Sequence, residues 1–293
     1  MTKSRIGIIG LGIMGLAYAR NLVKAGYQVS GFDICQDQGK ALDKCGGVSV
    51  SGLGDLAAQS DVIFMALASN NALIKCVDDL EKAALAGKIF CEMGTFSLSQ
   101  KMLVHDRLEP LGATVLDCPV SGTGGQAAVG DLSVYLSGKE DIAKKLYPVF
   151  SAIARDVRYV GPYGTGIKLK LVANLLVTIH NLATAEALLL AKKSDLDLEM
   201  VYDAICQGGG TSRMFEVRGK MMIEEQYEPA TMKHEVFAKD LKLIVDQAAK
   251  SNCPIPLTAS SLPFYYAALS QGRGKEDTAS LYGVLESLSG HTG

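Results

Sequence analysis

The stretch Gly10-Leu11-Gly12-Ile13-Met14-Gly15 follows the short apolar run Ile6–Ile9 and opens a helical pattern. Its spacing, G-x-G-x-x-G between a strand and a helix, is typical of a dinucleotide-binding βαβ unit. In such a unit the first glycine permits a tight turn, the second lets the backbone approach a pyrophosphate, and the third lets helix and strand pack closely. The helix N-terminus attracts the phosphates. We therefore expect residues 10–15 to contact a dinucleotide.

Asp33 lies at the end of the second predicted strand, residues 28–32, about twenty residues after the glycine loop, as this motif requires. A carboxylate there accepts hydrogen bonds from the adenosine ribose hydroxyls and repels a 2′-phosphate. The residues that follow, Ile34, Cys35 and Gln36, supply no arginine to neutralise such a phosphate. The sequence therefore predicts NAD rather than NADP, although an ordinary turn at the strand end also fits Asp33.

The first half of the chain alternates short β-rich runs with helical patterns, which predicts a parallel sheet wound with helices. Besides Ile6–Ile9 and 28–32, we predict strands at residues 62–66, 88–91, 114–117, 133–136 and 157–160, and helices at 13–24, 99–111 and 140–150. After the glycine- and proline-rich stretch 161–166, the pattern is helical throughout. Helices are expected at residues 167–193, 197–206, 214–225, 233–251, 257–271 and 276–288.

This organisation predicts two domains. Residues 1–163 form an α/β Rossmann domain, and residues 164–293 form an all-α domain for the substrate and for dimerisation, with a long helix linking the two. Ligands of open α/β sheets bind at the carboxyl ends of the strands. Leu67 and Ala68, after the strand at 62–66, and Thr95, after the strand at 88–91, are therefore expected to contact the cofactor, although a simple turn or helix cap also fits Thr95.

The composition excludes several classes of protein. The 293 residues carry a formal net charge of −2, which gives no electrostatic reason to expect nucleic acid or an anionic membrane as a partner. The seven scattered cysteines and four scattered histidines form no metal-binding pattern, and they suit a reducing compartment. The apolar stretch 171–191 contains Asn174, His180 and Glu186, so we expect a core helix rather than a membrane span. We expect a soluble, cytoplasmic protein without a metal.

Two further segments carry candidate chemistry. The loop Ser121-Gly122-Thr123, after the strand at 114–117, offers backbone N–H groups and hydroxyls that suit a carboxylate. Lys170 and Asn174 are four residues apart and share one helix face. Partial desolvation of a lysine on so apolar a helix favours the neutral amine, which suits proton transfer, although a surface lysine at a helix start fits the same pattern.

In these segments the chain resembles the β-hydroxyacid dehydrogenase family, which includes enzymes of the 3-hydroxyisobutyrate, tartronate semialdehyde and L-threonate types. The matching motifs occur in the order and spacing of the family, and the resemblance extends from the N-terminus to about residue 288. They are Gly10–Gly15 with Met14, Asp117-x-Pro-Val-Ser-Gly122 continuing to Gly130-Asp131-Leu132, Gly164-x-Gly166-x-x-x-Lys170 with Asn174, and Lys239-Asp240-Leu241.

The resemblance implies a role for each of these segments. Lys170 is the catalytic acid and base, and Asn174 hydrogen-bonds the reacting oxygen. Ser121, Gly122 and Thr123 bind the carboxylate of a small substrate, and Lys239 lies near the nicotinamide. The expected reaction interconverts a 3-hydroxy acid and its oxo acid or semialdehyde, with NAD as cofactor. The helical domain is expected to form a homodimer or homotetramer.

Several residues have less decided roles. Ser212 and Arg213 lie where members of the family shape the distal part of the pocket, although a loop cap and a surface arginine fit as well. His234 and Phe237 suit core packing, and Asp240 and Asp277 are interpreted as structural caps.

Different functions also fit parts of this pattern. Ser-Gly-Thr at 121–123 occurs in glyoxylate and succinic semialdehyde reductases as well, and these usually use NADPH. An imine or aldehyde reductase on the same fold and a non-catalytic nucleotide-binding module likewise remain open.

Overall fold

The computed structural model describes residues 3–290. By their contacts the residues divide into two compact units, Met1–Lys170 and Leu171–Gly293. The first unit contains a nine-stranded sheet with the order β3-β2-β1-β4-β5-β6-β8-β7, and β9 pairs with β8. Its strands are β1 (Ile6–Ile9), β2 (Val29–Phe32), β3 (Val48–Ser49), β4 (Val62–Met65), β5 (Ile89–Glu92), β6 (Thr114–Asp117), β7 (Val120–Ser121), β8 (Ser133–Ser137) and β9 (Asp156–Gly161).

Neighbouring strands are parallel along the part of the sheet with the order β3-β2-β1-β4-β5-β6. In contrast, β8 is antiparallel to both β6 and β7. Within residues 3–290, eight α-helices accompany this sheet. They are α1 (Ile13–Lys24), α2 (Gln36–Lys44), α3 (Leu53–Gln59), α4 (Asn70–Leu80), α5 (Leu98–Leu108), α6 (Gly124–Ala128), α7 (Glu140–Lys145) and α8 (Tyr147–Phe150). The crossover between β3 and β4 places β4 on the other side of β1, so the order of the strands reverses beside the end of β1. Such a reversal is where ligands bind in open α/β sheets.

Apolar side chains cover both faces of the sheet. Ile6 and Ile8 of β1 face a core cluster that includes Tyr18 of α1, and Ile9 faces a second cluster that includes Val77 of α4. All four residues of β1 and of β4 are buried, as expected for central strands covered on both sides. This burial fixes the strand ends that carry the candidate site.

The second unit consists of helices. They are α9 (Thr165–Lys193), which begins in the first unit, α10 (Leu198–Cys206), α11 (Arg213–Ile223), α12 (His234–Lys250), α13 (Pro256–Ser270) and α14 (Leu281–Leu288). The helix α9 is long and apolar enough to cross a membrane by composition alone, but 44% of its most apolar window is buried within the chain. A core cluster that includes Leu182 and Leu188 of α9 holds the helices of this unit together.

The predicted fold class is confirmed: an N-terminal parallel Rossmann-like sheet precedes a helical domain that starts with a long helix. The boundary between residues 163 and 164 stays a prediction. Three expected helices differ in detail. The helix at 99–111 is α-helical only to Leu108 and is followed by a 3₁₀ turn, Glu109–Leu111. The helix at 140–150 is divided into α7 and α8 because Pro148 begins a new turn, and the segment 276–288 is helical in α14 only after a 3₁₀ turn, Thr278–Ser280. The two-residue strands β3 and β7 and the helices α2, α3, α4 and α6 were not predicted from the sequence.

Candidate active site

The glycine loop between β1 and α1 has the geometry of a phosphate cradle. Gly10 adopts a positive φ of 88°, and a Cβ atom there would lie 2.5 Å from the carbonyl oxygen of Ala66. A Cβ on Gly15 would overlap the carbonyl oxygen of Gly10, so the helix can approach the loop only with glycine at this position. Gly12 differs because it is exposed and has open space beside it. The loop therefore fits a dinucleotide whose phosphates lie over Gly12 at the start of α1.

The residues between these glycines have different environments. The side chain of Leu11 is fully buried in the core, so this residue offers a ligand only its backbone. Ile13, the first residue of α1, is 79% exposed, and Met14 is half-buried against the core. Of these three predicted contacts, Ile13 therefore has the most exposed side chain.

Asp33 is bound to the glycine loop as well as to its own turn. Its carboxylate accepts a 2.7 Å hydrogen bond from the N–H of Leu11 and a 2.8 Å hydrogen bond from the N–H of Cys35. The second of these bonds is the strand-end turn that also fits the sequence. The turn does not exclude contact with a ribose, because a carboxylate has lone pairs beyond the two used here, and that contact stays a prediction. The bond from Leu11 holds the carboxylate beside the glycine loop.

The remaining loops predicted to contact the cofactor also lie at carboxyl ends of parallel strands. Leu67 and Ala68 follow β4, and Leu67 lies beside Gly10. Thr95 is half-buried between β5 and α5. The strands β1, β4 and β5 are neighbours in the sheet, so these loops and the glycine loop share one edge.

The Ser121 loop connects the short strand β7 to α6. Ser121 pairs with Ser133 of β8, and Gly122 has a positive φ of 139°. Thr123 caps α6: its hydroxyl accepts from the N–H of Gln126, and the Gln126 side chain accepts from the N–H of Thr123. The hydroxyl and the N–H of Thr123 are therefore engaged in the capping box. The hydroxyl of Ser121 is not part of this cap.

Lys170 and Asn174 lie one turn apart on α9, and both are nearly buried, with Lys170 only 7% exposed. Burial of this lysine matches the desolvation expected from the apolar character of the helix. The alternative interpretation, in which Lys170 lies at the protein surface, is wrong because the residue is buried.

In the second unit, Asp240 contacts Asn174 directly. The amide nitrogen of Asn174 donates a 2.9 Å hydrogen bond to Asp240 Oδ2, and Lys239 Nζ lies 3.9 Å from Asp240 Oδ1. The interpretation of Asp240 as a structural cap is wrong. The residue lies in the interior of α12, not at its end, and it is buried. Its carboxylate accepts the hydrogen bond from Asn174 instead of capping the helix. Lys239, on the same turn, is partly exposed.

Ser212 and Arg213 occupy the start of α11. The Ser212 hydroxyl caps this helix by accepting from the N–H of Phe215, and Arg213 forms an exposed ion pair with Glu216. Their local roles are thus the cap and the surface arginine that the sequence left open, and a role in the distal pocket stays a prediction.

His234, Phe237 and Asp277 belong to the interior of the second unit. His234 and Phe237 are each 2% exposed, so core packing accounts for both. The carboxylate of Asp277 caps the 3₁₀ turn Thr278–Ser280 and forms an ion pair with the buried Arg218, which agrees with its interpretation as a cap.

The partner of Asn174 was not predicted, although the sequence contains a signal for it. Asp240 lies on the apolar face of α12, with Phe237 and Leu241 buried beside it. A carboxylate in such a position requires a polar partner inside the protein. The pattern shows that a partner is needed, but it does not say which one.

Comparisons with known proteins identify the family to which this chain is similar. Residues 5–161 match the family model described as the NAD binding domain of 6-phosphogluconate dehydrogenase. Residues 164–285 match the model described as NAD-binding of NADP-dependent 3-hydroxyisobutyrate dehydrogenase. Together the two models cover both units of the chain.

Individual relatives match over nearly the whole length. An L-threonate dehydrogenase of Haemophilus influenzae is 31% identical over 97% of this chain and 96% of its own. A 2-hydroxy-3-oxopropionate reductase of Escherichia coli is 30% identical over 98% of this chain and 99% of its own. The structure of a Mycobacterium tuberculosis 3-hydroxyisobutyrate dehydrogenase with L-serine superposes with a TM-score of 0.89, at 25% identity over 97% of this chain and 99% of that one.

Proposed function

This chain belongs to the β-hydroxyacid dehydrogenase family of oxidoreductases acting on CH–OH donors, as its motifs predicted, and from that premise we propose a specific reaction. The protein interconverts a small 3-hydroxy acid and its oxo acid or semialdehyde, with NAD as cofactor. The observation that carries this proposal is the nearly buried Lys170 one helical turn before Asn174, whose amide is held by Asp240.

The nicotinamide supplies or accepts the hydride when it is bound. In the direction of oxidation, the neutral amine of Lys170 takes the proton of the substrate hydroxyl. In reduction, the protonated Lys170 gives a proton to the carbonyl oxygen. Asn174 hydrogen-bonds that same oxygen through its side-chain amide. An amide already bonded to Asp240 has lost its rotational freedom, so it acts as a preorganised partner.

The substrate carboxylate is bound by the Ser121 loop. Ser121 offers its hydroxyl, and Gly122 brings the backbone close because it has no Cβ. Thr123 contributes through the turn that it caps. Binding of the carboxylate sets the distance between the reacting carbon and the nicotinamide, and positioning of this kind supplies a large share of catalysis. Ser212 and Arg213 are proposed to contact the distal end of the substrate, and Lys239 the nicotinamide.

The preference for NAD rests on Asp33. A carboxylate held at the end of β2 by two backbone N–H groups accepts hydrogen bonds from ribose hydroxyls and repels a 2′-phosphate. The residues that follow it, from Ile34 to Gln36, carry no positive charge. The family as a whole binds NAD(P), so this carboxylate is the feature on which the choice depends.

We further propose a homodimer or homotetramer formed through the helical domain, in the cytoplasm. Apolar residues on α9, such as Val172, Leu176 and Leu190, are between 47% and 69% exposed, which suits contact with another copy of the chain. Light scattering behind size exclusion measures the oligomer, and a monomer at micromolar concentration contradicts this part of the proposal.

The proposed activity is tested with a panel of hydroxy acids and their oxidised partners, assayed with NAD and with NADP. The panel contains hydroxyisobutyrate, glycerate, threonate, serine, the succinic semialdehyde pair and an imine, and reduction is assayed with NADH and NADPH. Activity with a 3-hydroxy acid and NAD supports the proposal. Turnover confined to semialdehydes with NADPH, or to imines, contradicts it, and inactivity throughout indicates a nucleotide-binding module.

The role of Lys170 is tested with Lys170→Ala. We expect turnover to fall roughly a hundred- to ten-thousandfold while the Kd of NADH stays within about threefold, because the variant loses general acid–base catalysis. Lys168→Ala is the matched control, since Lys168 lies on the same turns of α9 but is exposed. Near-normal turnover in Lys170→Ala rules out the assigned role.

A further inference from the structure

Three charged side chains are completely buried at the edge of the sheet that carries the candidate site. Lys101 of α5 lies between Glu92, at the end of β5, and Asp117, at the end of β6, and all three side chains are fully inaccessible. Lys101 Nζ lies 2.8 Å from Asp117 Oδ1, forms an ion pair with Glu92, and donates to the backbone oxygen of Glu92 at 3.2 Å. The two acids face each other across neighbouring strands, in register.

The charges of this trio balance only in part. Burial lowers the pKa of Lys101, but the carboxylates of Asp117 and Glu92 outweigh it, so the pKa lies above its ordinary value and the amine stays charged. Burial raises the pKa of Glu92, and Lys101 opposes that rise. A buried ion cluster is poor at stabilising a fold compared with apolar side chains of the same size. Its presence at this place therefore suggests a role other than stability.

The trio is connected to the start of α9. Asp117 Oδ2 accepts a 2.8 Å hydrogen bond from the N–H of Ile167. The hydroxyl of Ser137 also donates to Asp117, and it lies 3.0 Å from the backbone oxygen and 3.2 Å from Oδ2. The oxygen of Ser137 in turn accepts from the N–H of Gly166 at 3.0 Å. These N–H groups belong to the first turn of α9 and have no acceptor within the helix itself. A carboxylate there also interacts favourably with the helix dipole.

Two further contacts hold this turn and the residues just before it. The hydroxyl of Tyr163 donates a 2.8 Å bond to the backbone oxygen of Lys101. Gly166 is packed so closely that a Cβ atom would lie 2.8 Å from the carbonyl oxygen of Tyr135 and 2.9 Å from Pro119. The first turn of α9 is therefore bound to strand ends and to α5. Lys170 follows Gly166 by four residues, about one helical turn.

We propose that Lys101, Asp117 and Ser137 are positioning residues, which bind the first turn of α9 to the strand ends and thereby determine where the Lys170 amine lies. This inference rests on the proposed role of Lys170. The sheet that carries the glycine loop also carries Glu92, Asp117 and Ser137, so one rigid element sets the place of both the cofactor cradle and the start of α9. A displacement of about 1 Å at a reacting group can lower turnover a hundredfold.

Ser137→Ala tests the proposal with a small change. It removes the acceptor of the Gly166 N–H and one donor to Asp117, without removing a charge. We expect kcat to fall at least tenfold, while the KM of the substrate and the Kd of NADH stay within twofold. Tyr147→Phe is the matched control: it also removes a hydroxyl that accepts from one backbone N–H, that of Tyr159, but away from α9. We expect this control to lose stability and keep its kcat.

Removing the charge of Lys101 alone leaves two buried carboxylates unpaired and risks unfolding the protein. The double variant Lys101→Met with Glu92→Gln keeps the net charge of the trio at −1, keeps the length of the Glu92 side chain and shortens that of Lys101 by one atom. It leaves Asp117 without the ammonium group that holds it. As for Ser137→Ala, we expect kcat to fall at least tenfold while the binding of the cofactor is unchanged.

Hydrogen–deuterium exchange of the amides in residues 164–170 provides a readout that does not depend on activity. We expect faster exchange there in Ser137→Ala and in the double variant, and not in Tyr147→Phe. Exchange equal to that of the wild type in both variants contradicts the proposal that these residues bind the first turn of α9 to the strand ends. Faster exchange with kcat within twofold of the wild type contradicts the proposal that this turn determines the position of the Lys170 amine. A wild type inactive on the whole panel instead refutes the proposed function, and exchange alone then decides whether the anchoring stands.

Discussion

The side-chain amide of Asn174 donates a 2.9 Å hydrogen bond to the carboxylate of Asp240, a residue 66 positions further along the chain. Both side chains are nearly buried, and Lys239 Nζ lies 3.9 Å from the second oxygen of the carboxylate. The bond determines the orientation of an amide proposed to contact the reacting oxygen. We therefore expect the chemistry to depend on Asp240 although its carboxylate is assigned no contact with the substrate.

The variant Asp240→Ala releases the Asn174 amide. A hydrogen bond to a charged acceptor contributes about 1.5–3 kcal/mol, so we expect kcat to fall roughly ten- to hundredfold. Asp240→Asn keeps an acceptor oxygen and is expected to recover part of that loss. Asp246→Ala, an exposed change on the same helix, serves as the control. Steady-state kinetics decide, and equal kcat in Asp240→Ala and the control contradicts the orienting role.

Asp33→Ala removes the carboxylate beside the glycine loop. We expect the Kd of NAD to rise about tenfold, because the ribose loses a charged acceptor and the N–H of Leu11 loses its partner. The Kd of NADP is expected to change little or to fall, since repulsion of the 2′-phosphate disappears. Calorimetric titration of both cofactors measures the ratio, with Asp37→Ala, an exposed acid on α2, as the control. A wild type that prefers NADP contradicts the assignment.

The glycine loop allows two substitutions with opposite outcomes. Gly12→Ala has no atom within 4 Å of the new Cβ and a φ of −68°, so we expect a normal Tm and weak binding of NADH, at least tenfold weaker. Gly15→Ala forces its Cβ onto the Gly10 carbonyl, and overpacking of this kind costs about 3 kcal/mol of stability. Thermal unfolding and NADH titration separate the two effects.

Gly54→Ala is the matched control for both variants of the loop. Gly54 lies in α3, has open space for a Cβ, and is expected to gain up to about 1 kcal/mol of stability from better helix propensity. Cofactor binding should not change. If Gly12→Ala binds NADH as tightly as Gly54→Ala does, the phosphates do not lie over Gly12.

His234 makes the stability of the protein depend on pH. Burial lowers its pKa from 6.5 to about 4; Asp277 and Glu276 oppose this shift, and Arg218 and Arg273 add to it. Between these two pH values the unfolded chain binds a proton that the folded protein does not. Stability is therefore complete above pH 6.5 and falls as the pH decreases toward 4, by about 3 kcal/mol in total for this group.

Urea unfolding at several pH values measures this dependence. In His234→Gln we expect the curve of stability against pH to lose most of its slope between pH 6.5 and 4, with lower stability at neutral pH because the site is tightly packed. In His105→Gln, a change at a side chain that is 32% exposed, we expect the slope of the wild type. An equal slope in wild type and His234→Gln contradicts the assignment.

Much of the first unit was predictable because its signals are local. The spacing of the glycines and the alternation of short apolar runs with helical patterns indicate a βαβ unit, and the observed strands agree with the predicted ones to within one or two residues. The missed strands β3 and β7 have two residues each, too few to show alternation. Their places depend on pairing with a neighbouring strand, which no local pattern encodes.

The residues at the candidate site differ in the same way. The chain itself determined Gly10, Gly12 and Gly15, whose spacing follows from backbone sterics, and Lys170 with Asn174, whose proximity follows from helix periodicity. Only the tertiary structure decided that Asp240 is the partner of Asn174, and that Lys101 lies between two carboxylates beside the start of α9. A buried charged side chain shows in the sequence that it needs a partner. The identity of that partner depends on which distant elements pack together, and this is determined by the fold as a whole.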